Sequence, residues 1–209
     1  MISVEEARQY YGENDSAHGF EHVLRVAAVA ERIALAEGAN LEIVRTAALL
    51  HDVGRADEER TGESHAEIGA RRAREILAGR PTDFVEAVAE AIANHRFRGN
   101  GRPASLEARV LFDADKLDAI GAIGVARAYA VGGRANQRLW SPLHDEHGVA
   151  ANSGFGSDDN HTPVVEFNFK LRRLKDRMFT DAGRALALER HDFMVAFFER
   201  LEREARGEA

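Results

Sequence analysis

The sequence contains no cysteine among its 209 residues. Disulfides, thiolate zinc sites and a cysteine nucleophile are therefore excluded, and any metal must be held by nitrogen and oxygen ligands. Proline is scarce, with four residues, so few positions forbid a continuing helix. Period-two alternation of apolar residues, the mark of a half-buried strand, is also scarce. No window approaches the uninterrupted apolar length that a membrane span needs. The first twenty residues, "MISVEEARQYYGENDSAHGF", are polar and acidic and lack the apolar run of a signal peptide. A cytoplasmic location and no membrane partner are expected. An excess of positive charge is lacking as well: 28 basic against 35 acidic residues give a formal net charge of -7. That balance weighs against a general nucleic-acid binder, and no stable nucleic-acid partner is expected.

What is present is helical. Hydrophobic residues make up 44% and charged residues 30%, an ordinary globular balance, and a chain of this length can bury a core without covalent staples. The expectation is one all-α domain over residues 1–209, with its chemistry-bearing motifs between 15 and 130 and further helices over 164–206. Between Ala17 and Ala36 the residues His22, Val26, Val29 and Ile33 recur at steps of four, three and four, which puts His22 on an apolar stripe. Asn40 is placed to cap "LEIVRTAALLHD", with Gly54 after it. Ser64 and Glu67 open "SHAEIGARRAREIL" in the pattern of a capping box. "TDFVEAVAEAIANH" sets Phe84, Val88, Ile92 and His95 on one face. "SLEARVLFDADKLDAIGAIGVARAYAVGG" reads as one long or broken helix, with Gly121 and Gly124 as break points. Two more helices follow, "FNFKLRRLKDRM" and "TDAGRALALERHDFMVAFFERLERE", the second capped by Thr180. The stretch 141–163, rich in glycine, asparagine and aspartate, shows no period and is long enough to act as a lid.

Histidines fall at telling positions. His22, His51 and His95 sit within apolar stripes or at their ends, His65 opens a helix, and Asp115 lies among Leu111, Phe112, Leu117 and Ile120. A carboxylate in an apolar run needs a compensating partner. One divalent cation bound by His22, His51, Asp52 and Asp115 satisfies all four residues at once. Two imidazoles and two carboxylates suit manganese, iron, cobalt, nickel, zinc or magnesium and do not select among them. Taken singly, each residue is as well explained by packing or a solvated face. A second His-Asp pair, His191 with Asp192, sits in a segment that reads as packing, and His144, His147 and His161 read as loop residues.

In order, "HGFEHVLRV", "ALLHDVGR", "SHAEIGARRAREIL", "ANHRFRG" and "DADKLDAIGAIGVAR" resemble the HD-domain superfamily of metal-dependent phosphohydrolases. The resemblance implies an all-α bundle with additional C-terminal helices. It makes His22, rather than His18, the upstream ligand, His51 and Asp52 the central pair, and Asp115, rather than Asp113, the last ligand. Asp113 becomes a carboxylate that orients a ligand. Some branches of the superfamily place histidines at the positions of His65 and His95 around a second metal, and others turn them to substrate, so one or two ions are expected. The implied reaction is hydrolysis of a phosphoester or phosphoanhydride of a small phosphate, a nucleotide or a relative, by a metal-activated water. Asp52, His65 and His95 are the catalytic candidates, and Arg25, Arg55 and Lys116 are the candidates for binding phosphate charge. Arg96 and Arg98 are weaker candidates, with Arg98 read as a surface ion pair. Two rivals stand beside this reading: a di-iron oxygenase of the same superfamily and a non-catalytic nucleotide sensor. Oligomerisation is left open.

Overall fold

The computed structural model describes residues 2–12, 19–96, 103–143 and 161–209. His18, Arg98, His144, His147 and most of the expected lid, residues 144–160, lie outside the described residues. Among those described, the chain forms ten α-helices, one short 3-10 helix and no strand. They are α1 (Val4–Arg8), α2 (Phe20–Glu37), α3 (Leu41–Leu50), α4 (Arg55–Thr61), α5 (His65–Ile76), α6 (Thr82–Ala93), α7 (Leu106–Leu117), α8 (Gly121–Arg134), α9 (Pro163–Phe169) and α10 (Asp181–Ala205), with the 3-10 helix Leu171–Arg177 between the last two. No described helix is long and apolar enough to cross a membrane.

The chain divides into two compact units, one of Met1–Lys116 with Met178–Gly183 and one of Leu117–Arg177 with Arg184–Ala209. In the first unit α2 packs on α3, α3 on α6, α6 on α5, and α5 on α4. Alanines let these helices approach closely: Ala30, Ala34, Ala47, Ala48, Ala73 and Ala89 are all fully buried. Larger side chains fill the remaining space. Ile33, Leu50, Ile92 and Leu111 are also fully buried, each contributing about 1.5–3 kcal/mol by leaving water. Asn40 caps α3 as expected, its side-chain oxygen accepting the amides of Glu42 and Ile43. The capping box at Ser64 does not form; the Ser64 hydroxyl lies instead toward Arg96.

Asp113, on α7, is fully buried. Its carboxylate accepts the backbone amides of Phe179 and Thr180 and the Thr180 hydroxyl, at 2.6–3.1 Å. It thus anchors the strip 178–183 to α7. Thr180 in turn caps α10 by accepting the Gly183 amide. In the second unit α8 packs on α9, and α9 on the 3-10 helix. The long "SLEARV…" segment is indeed interrupted at its glycines. α7 ends at Leu117, and α8 starts at Gly121, whose φ of +77° suits glycine.

Gly54 does not end α3 but precedes α4, in the turn that carries His51 and Asp52. A β-carbon there would sit 2.5 Å from the His65 carbonyl oxygen and 2.8 Å from the Gly69 amide nitrogen. Both obstacles are backbone, so neither can swing away. Gly54→Ala is expected to destabilise the fold by about 1–3 kcal/mol, the usual cost of overpacking, as a lowered midpoint in urea denaturation at unchanged slope. A midpoint equal to wild type would mean that α5 does not press on this turn.

Candidate metal centre

Two helices end in the same way. α3 stops at Leu50, and His51 turns its Nδ1 back to the Ala48 carbonyl oxygen at 2.7 Å. α6 stops at Ala93, and His95 turns its Nδ1 to the Ile92 carbonyl oxygen at 2.6 Å. The last carbonyls of a helix lack intrahelical donors, and a carbonyl only accepts. Each Nδ1 must therefore carry the proton and donate, which leaves each Nε2 as a bare lone pair pointing away from its helix. Tyr11 completes the end of α3 by donating its hydroxyl to the Leu49 carbonyl, and Val53 donates its amide to the Leu50 carbonyl. Both helices also bring the negative ends of their dipoles to this place, which favours a cation.

Four imidazole Nε2 atoms meet around Asp52. His22, from the first turns of α2, and His51 bring their Nε2 atoms to 3.8 and 3.7 Å from Asp52 Oδ2, and lie 3.4 Å from each other. Asp115 Oδ1, from α7, lies 3.4 Å from His22 Nε2. On the other side of the same carboxylate, His65 and His95 bring their Nε2 atoms to 3.5 and 3.8 Å from Asp52 Oδ1, and lie 3.2 Å apart. Asp52 thus belongs to two buried groups at once, His22–His51–Asp52 and Asp52–His65–His95, in each of which the ligand atoms lie within 4.8 Å of one another. His51 and His95 are fully buried, and neither has a proton on the nitrogen it turns inward. Acceptors facing acceptors in a dry site repel unless a cation lies between them. The donor set fits a divalent ion of the nitrogen- and oxygen-binding kind.

Ionisation follows from the same geometry. Burial penalises the charge of Asp52, but its polar neighbours, with the Arg55 guanidinium as the fixed positive charge among them, hold its carboxyl far below the usual carboxylate range. Arg55 supplies a two-pronged clamp, Nε to Oδ2 at 2.9 Å and Nη2 to Oδ1 at 3.1 Å. Asp115 is likewise held low against its burial, first by Lys116, whose ammonium is 2.6 Å from Oδ2 and also reaches the His95 carbonyl. Burial, helped by the neighbouring His51, pushes His95 down to about 3. Burial also lowers His51.

Other residues fall as follows. Arg25 lies one helical turn beyond His22 on α2 and is half-buried. Arg55 and Lys116, expected to face phosphate, grip the two aspartates. Arg96 pairs with Glu58 of α4, and Glu58 also takes His65 Nδ1 at 2.6 Å. Glu58 is the member of this cluster that sequence reasoning missed. His191 lies in the other unit, half-exposed on α10, and joins neither group.

The sequence pattern of the HD domain matches residues 19–120. Over 199 residues the chain is 34% identical to the uncharacterized protein YpgQ of Bacillus subtilis, covering 93% of this chain and 88% of that one. A predicted HD superfamily hydrolase from an uncultured Thermotogales bacterium superposes with a TM-score of 0.68 at 30% identity, covering 96% of this chain and 90% of that one. The structure of Bacillus subtilis YpgQ in complex with ADP superposes with a TM-score of 0.71 at 29% identity, covering 96% and 92%. Ribonuclease Y of Chloroflexus aurantiacus is 37% identical over 110 residues, 53% of this chain but 19% of that enzyme.

The buried imidazoles set a pH response. His95 and His51 are neutral when folded and bind a proton in the unfolded chain below about pH 6.5. Their stabilisation is therefore complete above that pH and is lost as pH falls toward about 3. Metal-free protein melted at steps from neutral to acid should lose melting temperature steadily through this window. A flat profile down to the carboxylate range would contradict the buried, Nδ1-protonated assignment.

Proposed function

The chain belongs to the HD domain family, and on that premise we propose that it is a metal-dependent phosphohydrolase acting on a nucleotide or a related small phosphate ester. The observation that carries the reading is the convergence of His22, His51, Asp52 and Asp115, with the His51 lone pair turned inward and both carboxylates ionised. A divalent cation held there supplies the Lewis acidity that activates a water and polarises a phosphoryl oxygen.

The chain's own groups do the rest. Arg55 and Lys116 keep Asp52 and Asp115 ionised and aimed inward. His95, with its proton on Nδ1 and that proton given to Ile92, has none to offer from Nε2 at neutral pH. It serves as a ligand rather than an acid, and His65 beside it serves the same way for a second ion. Fixed charge supports an anionic substrate. Asp52 has Arg55, Asp115 has Lys116 and Glu58 has Arg96, so these pairs are neutral before any metal binds and a divalent ion makes the site positive. Arg25, one turn from His22, is the cation best placed in sequence to meet phosphate. The ADP complex of the Bacillus relative supports a nucleotide over a polymer.

The shared carboxylate favours one second reading. Two histidines on each side of Asp52 also suit two irons and oxygen chemistry. Anaerobic loading with iron, followed by exposure to oxygen, separates the two. Oxygen uptake with a diferric absorption band and no phosphate release would replace the hydrolase reading.

The main test is a manganese-loaded screen over nucleoside mono-, di- and triphosphates and simple phosphate esters, with product identification. Turnover of at least one of them is expected. Asp52→Ala and His51→Ala should each remove metal and cost more than the roughly 10–100-fold typical of residues that merely orient a ligand, with helix content by circular dichroism nearly intact. His191→Ala should keep both metal and turnover. Full activity in Asp52→Ala, or metal loss in His191→Ala, would overturn the site.

A further inference from the structure

His65 differs from His51 and His95 in one structural respect. Those two follow helix ends, where free carbonyls accept Nδ1–H. His65 is the first residue of α5, and a helix start exposes amide donors, not carbonyl acceptors. No helix carbonyl of its own element can fix its tautomer. An outside acceptor does so instead: Glu58 Oε2 stands 2.6 Å from His65 Nδ1. The other oxygen of Glu58 takes the Arg96 guanidinium, so the carboxylate is held from both sides.

We propose that Glu58, braced by Arg96, is the positioning residue that forces His65 into its Nδ1–H form and aims its Nε2 lone pair at Asp52 and His95. The assignment rests on the reading above that the Asp52–His65–His95 group faces a cation. It adds what holds that group in a ligating state. Glu58 comes from α4, His65 from the start of α5, and Arg96 directly follows His95. The chain of contacts His65–Glu58–Arg96 therefore ties the two histidines of the second group to each other through their outer faces. Their inner nitrogens meanwhile sit 3.2 Å apart. A carboxylate partner also makes the opposite imidazole nitrogen a better donor to metal. Glu58 touches neither of the two groups' ligand atoms except through His65, so its effect is indirect. Ser64 adds a weaker contact to Arg96 at 3.4 Å.

The test uses the whole chain as wild type, Glu58→Ala, Glu58→Gln and Arg96→Ala. Nitrogen-15 two-bond correlation spectra of the histidine rings in metal-free protein report each tautomer without any metal or activity. Wild type should show His65 protonated on Nδ1. Glu58→Ala should shift His65 toward the Nε2–H form, Glu58→Gln should restore Nδ1–H because its amide oxygen still accepts, and Arg96→Ala should give a smaller shift in the direction of Glu58→Ala. In manganese titrations the second equivalent should weaken about 10–100-fold in Glu58→Ala and much less in Glu58→Gln, with the first equivalent unmoved. A His65 that keeps its wild-type tautomer in both Glu58→Ala and Arg96→Ala overturns the assignment, and so does Glu58→Gln behaving like Glu58→Ala. If wild type binds one manganese only while the tautomer still follows residue 58, the two-cation reading fails and the Glu58 assignment stands. Should Glu58→Ala not fold, Arg96→Ala and Glu58→Gln decide by the same spectra.

Discussion

The structure depends on one buried anion. Asp52 is almost wholly removed from water, yet it is ionised, and four imidazoles crowd its two oxygens. Leaving such a charge without partners would cost several kcal/mol. Arg55 meets part of that cost with two charge-assisted hydrogen bonds. His51 and His95 do not meet the rest as neutral donors, because each donates its Nδ1 proton to a helix carbonyl. The remaining field is an invitation to a cation, and the positions of α2, α3, α5, α6 and α7 serve to keep it in place.

Two devices set the ligands, and both come from helix ends. At a C-terminus the unsatisfied carbonyls of the last turn select the tautomer, at no expense beyond placing a histidine just past the last apolar residue. At an N-terminus that option is missing, and a carboxylate from another helix has to be brought in. The close passage of Gly54 against the His65 carbonyl and Gly69 makes this possible. It lets the turn carrying Asp52 and the start of α5 lie against each other. Packing and ligation are therefore the same constraint on this turn: a larger residue at 54 would separate Asp52 from His65 as well as strain the core.

Legibility in the sequence followed period and length. α2, α3, α5, α6 and α10 show apolar stripes over ten or more residues, and each was readable. α1 and α4 were not, because five and seven mostly polar residues carry no period. The break between α7 and α8 was marked by its glycines. His22, His51, Asp52 and Asp115 stood out as polar residues in apolar surroundings, and the structure does bring them together. Side-chain pairing was the hidden part. Nothing in the spacing told that Arg55 and Lys116 would grip aspartates, that Asp113 would hold the strip before α10, or that Ser64 would leave its capping box unmade. Glu58 was hidden for the same reason. It lies in the polar run "RADEERTGES", where an acidic residue is indistinguishable from a solvated one until α4 folds it toward His65.

The two His-Asp pairs show what context adds to a motif. His51 sits one residue past the end of α3, where the Ala48 carbonyl is available to take its Nδ1 proton and the ring is sealed from water. His191 sits inside the twenty-five residues of α10, where upstream carbonyls are already engaged by the helix, and Asp192 beside it is exposed. The dipeptide is identical in both. Only at the helix terminus does it yield a fixed tautomer, an inward lone pair and a carboxylate that other helices can reach. A metal centre built from such a pair is therefore specified less by its two letters than by the apolar helix that stops just before them.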